Sequence, residues 1–222
     1  MEIDNCERVR VVREHANSRA GRAHSHSTNF EWNRQIFHIF LGIIIVVLLL
    51  YDFIDKKIIL IAIIIGLMLS YLSRKTKIPV INILLEIFER KEELKKFPGK
   101  GIIFYFIGVF IALFLFPKDI AMASIMVLAL GDSISHLFGL HFGKIRHPFS
   151  KKKFLEGTIA GFVAGFIGAL VFARPLEALF ASLAAMIVEA IEIKIGAEQI
   201  DDNLIVPIVA GGVIWVVRFL RS

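Results

Sequence analysis

One cysteine, Cys6, is all that the 222 residues contain, so no disulfide can close within the chain and no cysteine set can hold a metal. There is no GxxxxGK[ST] phosphate loop. No serine nucleophile stands with a base and an orienting acid, and no heptad or fixed-period repeat is visible. The sustained apolar–polar alternation of barrel strands is missing, which leaves helices as the way to satisfy backbone groups in lipid. The basic residues are not gathered on one soluble face, so nothing points to nucleic acid as a partner. What is plentiful is apolar side chain: 56% of the sequence is hydrophobic and 20 residues are Phe. Soluble proteins run at about 45–50%.

The apolar surplus falls in blocks about as long as a bilayer-crossing helix. We place them at 35–51, 58–72, 102–116, 120–140, 158–173, 176–195 and 204–220. The expected fold is all-α, a polytopic membrane helix bundle of about seven transmembrane helices. Residues 1–29 are polar and read as a flexible cytosolic tail rather than a cleaved signal peptide. Residues 30–222 form the membrane-embedded catalytic domain. Between the second and third blocks, Ile81, Leu84, Leu85 and Phe88 recur at helical spacing beside charged residues, the pattern of an interfacial helix. With seven crossings, 20 of the 26 Lys and Arg fall on one side, in the stretch through Arg34, in 73–100, in 141–156 and at Lys194. The positive-inside rule makes that side cytosolic, with the N-terminus in and the C-terminus out. It also accounts for the net charge of +6.

Ionisable side chains inside membrane helices mark function. Four clusters qualify, all at the expected cytosolic face. The first is EWNRQIFH, where Arg34 and His38 share a helix face. The second is KKFPGKG, where a Pro-Gly turn delivers Lys100 to the start of the third block. The third is LGDSISHLFGLHFGKIRHPFSKKKFLEGT, residues 130–158. Here Asp132, His136, Gly139 and Gly143 lie along one line of a helix, an acid and a histidine followed by bare backbone. A carboxylate so placed calls for a partner, and a divalent cation carrying nucleotide phosphates fits. Lys144, Arg146, Lys151, Lys152 and Lys153 follow, suited to a triphosphate, and Glu156, Gly157 and Thr158 open the next helix with an anion-attracting N-terminus. In the fourth, Glu189 and Glu192 share a face, and Asp201, Asp202 and Asn203 precede the last block, where Asp202 or Asn203 can cap the helix. Gly157, Gly161, Gly165 and Gly168 read as a packing stripe.

These residues resemble the CTP-dependent lipid-alcohol kinases, the family of dolichol kinase, phytol kinase and the CTP-dependent diacylglycerol kinase. The resemblance runs from Glu31 to Gly211. It rests on Glu31, Arg34 and His38; on Gly131, Asp132, Gly139 and Gly143; on Lys153, Glu156, Gly157 and Thr158; and on Glu192, Asp202, Asn203 and Pro207. Gln35 stands where a basic residue is usual, and Phe154 where Ser or Thr is usual. The phosphatidate cytidylyltransferases are similar over the central stretch, but their C-terminal PGHGG element is missing here.

The resemblance implies transfer of the γ-phosphate of CTP to a long-chain lipid alcohol of polyprenol, phytol or diacylglycerol type, at the cytosolic face of the cell membrane. It implies Mg²⁺ on Asp132 and Asp202, a base among His38, His136 and Glu192, and phosphate or nucleotide contacts from Arg34, Lys100, Gly139, Gly143, Lys144, Lys153, Glu156, Gly157 and Asn203. A CDP-lipid-forming enzyme and a small transporter are the alternatives. The transporter is disfavoured because the polar clusters share one side and no inverted repeat is visible.

Overall fold

The computed structural model describes residues 31–75, 97–150, 153–191, 194–195 and 198–221. The expected tail and the amphipathic stretch around Ile81–Phe88 lie outside these residues, as do Lys151, Lys152 and Glu192. The described chain is helical, with helices α1 (Glu31–Leu50), α2 (Lys56–Lys75), α3 (Lys100–Leu115), α4 (Lys118–Phe142), α5 (Leu155–Ala169), α6 (Pro175–Ala190) and α7 (Asp202–Phe219). Each apolar block of the sequence has its helix. Four of them, α1, α2, α4 and α7, are long and apolar enough to cross a membrane, while α3 and α5 are apolar but shorter. This is an all-α membrane helix bundle.

The outer surface is what a lipid-facing bundle needs. Phe40, Ile44, Ile61, Met68, Phe114, Ile159, Ile167 and Phe219 are exposed. A soluble monomer rarely exposes so much contiguous apolar area. The inside is filled by Tyr105, Ile120, Ile125, Leu128, Met186, Val206 and Ile214. Helix α4 is central, and 78% of its apolar window is buried against 17% for α2.

Small residues set the closest approaches. On α5, a Cβ at Gly161 would stand 2.6 Å from both the Gly131 carbonyl oxygen and Ser135 Cβ of α4. The glycine stripe therefore lets α5 lie directly on α4, where van der Waals contact rather than hydrophobicity holds helices together in lipid. On α7, Pro207 cannot donate to the Asn203 carbonyl. That freed carbonyl lies against Gly108 of α3, where any Cβ would collide with it.

Two departures from the sequence expectation matter. Helix α6 stops at Ala190, not at residue 195; Lys194–Ile195 pairs antiparallel with Glu198–Gln199 in a two-stranded ribbon. The run Ile191, Glu192, Ile193, Lys194, Ile195 alternates with period two, which suits a strand and not a helix. Second, α4 is not α-helical throughout. Residues Val127–Asp132 form a π-helical turn, the wider i→i+5 winding that often accompanies functional sites. Asp132 is its last residue.

The helix ends sort into two groups. One end of the bundle gathers the start of α1, α3, α5 and α7 and the close of α4 and α6. The other carries ion pairs: Lys118 to Asp52 at 2.5 Å, and Arg218 to Asp119 at 2.6 Å and to Glu177 at 3.0 Å.

Candidate active site

A cavity of about 310 Å³ opens among the first group of helix ends. Helix α1 supplies Arg34, Gln35 and His38, and the start of α3 supplies Lys100. The second half of α4 supplies Asp132, Ser135, His136 and Gly139. Lys153 and Phe154 come from the turn before α5, Glu189 from the last turn of α6, and Asp201, Asp202 and Asn203 from the start of α7. Residues more than 160 positions apart in sequence thus meet in one place.

At its centre are three acids. Carboxylate oxygens of Asp132, Glu189 and Asp202 lie within 4.8 Å of one another. At an effective dielectric of about 20, two unit charges at that spacing repel by about 3.5 kcal/mol. A cation relieves that repulsion, and Lys153 supplies one. Its Nζ donates to Glu189 Oε1 at 2.6 Å, to the Glu189 backbone carbonyl at 2.5 Å and to Asp202 Oδ2 at 3.0 Å. Burial disfavours the charge on Lys153, but the carboxylates of Glu189, Asp202 and Asp132 outweigh it and raise its pKa above the ordinary lysine value. Ser135 Oγ completes the cluster, donating to Glu189 Oε2 at 3.5 Å.

The start of α7 is arranged so that one acid is structural and the next is free. Asp201, not Asp202 or Asn203, is the N-cap: its Oδ1 accepts from the Asn203 backbone N–H at 3.1 Å and from Asn203 Nδ2 at 2.8 Å. Burial pushes the Asp201 carboxyl above the usual carboxylate range, against the Asn203 bonds and the charge of Lys100. With the cap filled by Asp201, Asp202 is left to face Lys153. The Asn203 amide oxygen and the Gln35 amide oxygen are buried in the cavity lining without a partner among the described residues. Buried acceptors of this kind are costly unless something else bonds them.

A second group forms where α1 crosses α4. Glu31 Oε2 lies 2.9 Å from Arg34 Nη2 and 3.2 Å from His136 Nε2. His38 packs on Tyr105, with ring centroids 5.2 Å apart. Trp32 Nε1 donates to His141 Nε2 at 2.9 Å, fastening the start of α1 to the end of α4.

Of the residues singled out in the sequence, Arg34, His38, Lys100, Asp132, His136, Gly139, Lys153, Asp202 and Asn203 line the cavity. Gly143, Lys144, Glu156 and Gly157 do not. Lys144 is exposed, and Glu156 Oε1 accepts the backbone N–H groups of Lys144 at 3.1 Å and Ile145 at 3.0 Å, pinning the loop before α5. Gly143 closes α4 against Phe154, and Gly157 packs on the Ser135 carbonyl. Arg146 stacks over Phe154 instead of entering the site. Glu189 has a larger part than the motif reading gave it. Its signal was an acid in the apolar run of α6, one turn before the glutamate that the resemblance picked out.

The chain is 32% identical over 185 residues to an uncharacterised protein of Methanocaldococcus jannaschii, covering 82% of this chain and 91% of that one. It is 29% identical over 138 residues to the CTP-dependent diacylglycerol kinase 1 of Schizosaccharomyces pombe, 56% of this chain and 63% of the relative. Against phytol kinase 1, chloroplastic, of Arabidopsis thaliana it is 29% identical over 136 residues, 54% of this chain and 42% of the relative. The chain thus spans less than two thirds of the length of these named kinases. No family model and no solved structure matches it. These named relatives support placing the chain with the CTP-dependent lipid kinases.

Proposed function

We propose that this protein transfers the γ-phosphate of CTP to the hydroxyl of a long-chain lipid alcohol. The observation that carries the proposal is the cavity itself, three acids and a lysine placed at the ends of apolar helices. A nucleotide from water and a hydroxyl held in lipid can meet only at such a boundary. Phosphoryl transfer asks the protein for positioning and charge neutralisation more than for covalent chemistry. The donor set of Asp132, Glu189 and Asp202 fits Mg²⁺, which prefers hard oxygen ligands. Held by these residues, the ion would neutralise charge building on the phosphate oxygens.

The other groups take their parts from position. Lys100, Lys153 and Arg34 line the same cavity and suit the phosphates. Gln35 and Asn203 offer acceptors for donors on the nucleotide. His136 is the base for the lipid hydroxyl, because the Glu31 carboxylate beside Nε2 stabilises the imidazolium formed when it takes the proton. The distribution of Lys and Arg supports a cytosolic orientation for the cavity end.

The test is purified protein in nanodiscs with CTP labelled at the γ-phosphate and a panel of polyprenols, phytol and diacylglycerol. Label appearing on one of these lipids is the expected result. If phosphatidate supplied in a parallel reaction instead gains CMP, with the label released as pyrophosphate, the chain makes CDP-lipids and the kinase reading is wrong.

A further inference from the structure

Lys153 sits where a metal-bound active site would hold its ion. Its ammonium is enclosed by two carboxylate oxygens and by the Glu189 carbonyl, one of the last carbonyls of α6. Such terminal carbonyls have no helical partner and carry the negative end of the helix dipole. The side chain is only 17% exposed. The backbone around it is fixed: Lys153 N–H donates to Ser150 Oγ at 3.1 Å, and its carbonyl accepts from His147 N–H at 2.9 Å. Only the flexible four-carbon stem is free to move. The buried amide oxygens of Asn203 and Gln35, unpartnered among the described residues, point independently to a ligand in this cavity.

We propose that Lys153 is a built-in placeholder cation, which occupies the carboxylate site in the free protein and is exchanged for a divalent ion when the nucleotide arrives. This rests on the divalent-cation reading given above. Two positive charges do not share one oxygen cage, so an ion entering among Asp132, Glu189 and Asp202 displaces the ammonium. Without nucleotide the displaced ammonium has no anion to go to, and divalent-ion binding is weak. With nucleotide it swings to the phosphates a few ångströms away. Ion and nucleotide therefore strengthen each other's binding, and by linkage they do so by the same factor. The three acids are never left without a counter-charge, and the site does not fill with metal ahead of substrate.

The test uses Mn²⁺ as the ion and CDP as the nucleotide, with the full chain in nanodiscs and bound Mn²⁺ read by electron paramagnetic resonance. The wild type is expected to bind Mn²⁺ weakly alone and about tenfold more tightly with CDP, within the usual range of coupling between sites. Lys153→Met is expected to bind Mn²⁺ about tenfold more tightly than wild type without CDP and to lose the enhancement. Lys153→Arg, which keeps the charge, is expected to stay weak without CDP. If Lys153→Met binds Mn²⁺ no better than wild type, the placeholder is refuted while the metal site stands. If no protein binds Mn²⁺ with or without CDP, the metal reading falls and the placeholder with it.

A wild-type measurement guards against a variant that fails to fold. Acetylation of Lys153, followed by mass spectrometry, is expected to speed up with Mn²⁺ alone and to slow again with Mn²⁺ and CDP. An acetylation rate unchanged by bound Mn²⁺ overturns the proposal.

Discussion

Asp132 and Glu189 differ in what the sequence tells about them. Asp132 follows glycine in an apolar run and precedes a histidine by one turn, so it stands out at once. Glu189 has no such setting, and only the meeting of α4, α6 and α7 shows that it shares an oxygen cluster with Asp132 and Asp202. Asp132→Asn is expected to lower kcat/KM on the order of 10³-fold, the scale of electrostatic groups in phosphoryl transfer, and Glu189→Gln a comparable amount. A steady-state assay with CTP checks both, and full activity in either variant would remove that residue from the machinery. The two histidines separate in the same assay. His136→Ala is expected to lower kcat by about 10²–10⁴-fold, the range for loss of a general base. His38→Ala should cost less, because His38 sits against Tyr105 and, among the described residues, makes no ion pair with a carboxylate such as His136 makes with Glu31. The reverse order would transfer the proton to His38.

Among the elements, helix existence was legible and helix ending was not. Apolar length marks each of the seven described helices, four of them long enough to cross a membrane. The end of α6 depends on a change from helical to alternating pattern over only five residues, Ile191 to Ile195, too few to outweigh their hydrophobicity. The π-helical turn before Asp132 has no signal in composition, because one residue of extra winding alters no pattern of apolar side chains. Gly131, within that turn, is where α5 lies closely against α4. The glycine stripe, by contrast, was readable and is used as expected. Gly161→Leu forces a side chain into the Gly131 carbonyl and Ser135, and overpacking of this kind costs about 1–3 kcal/mol or more. Gly212→Ala, with its nearest neighbour 4.0 Å away, should be neutral or slightly stabilising. Thermal unfolding in detergent distinguishes them, and equal midpoints would show that α5 does not need its close approach.

At the scale of the whole molecule, the candidate site and the Arg218 ion pairs occupy opposite ends. Glu177 is fully buried and has Arg218 as its ion-pair partner, so Arg218→Met strands a carboxylate. Breaking such a pair costs about 3–5 kcal/mol. The expected result is a lower unfolding midpoint with unchanged Mn²⁺ binding, since the change is at the far end from the cavity. A variant that loses Mn²⁺ binding while keeping its midpoint would mean the two ends are coupled. The lone Cys6 gives a natural reporter of orientation. A membrane-impermeant maleimide should label it only after the cell is opened, and labelling of intact cells would invert the proposed topology.

The cavity takes side chains from six helix ends, and the last of them, Asp202 and Asn203, lie within 21 residues of the end of the chain as given. The site is therefore incomplete until α7 is in place. A chain threaded only as far as α6 holds Asp132, Glu189 and Lys153 but lacks the carboxylate that completes the cluster. A helix inserted the wrong way round would carry its contribution to the opposite leaflet. Activity is in this sense a proof of correct biogenesis. A form that lacks α7, or carries it inverted, has neither Asp202 nor Asn203 at the cavity and is expected to be inactive.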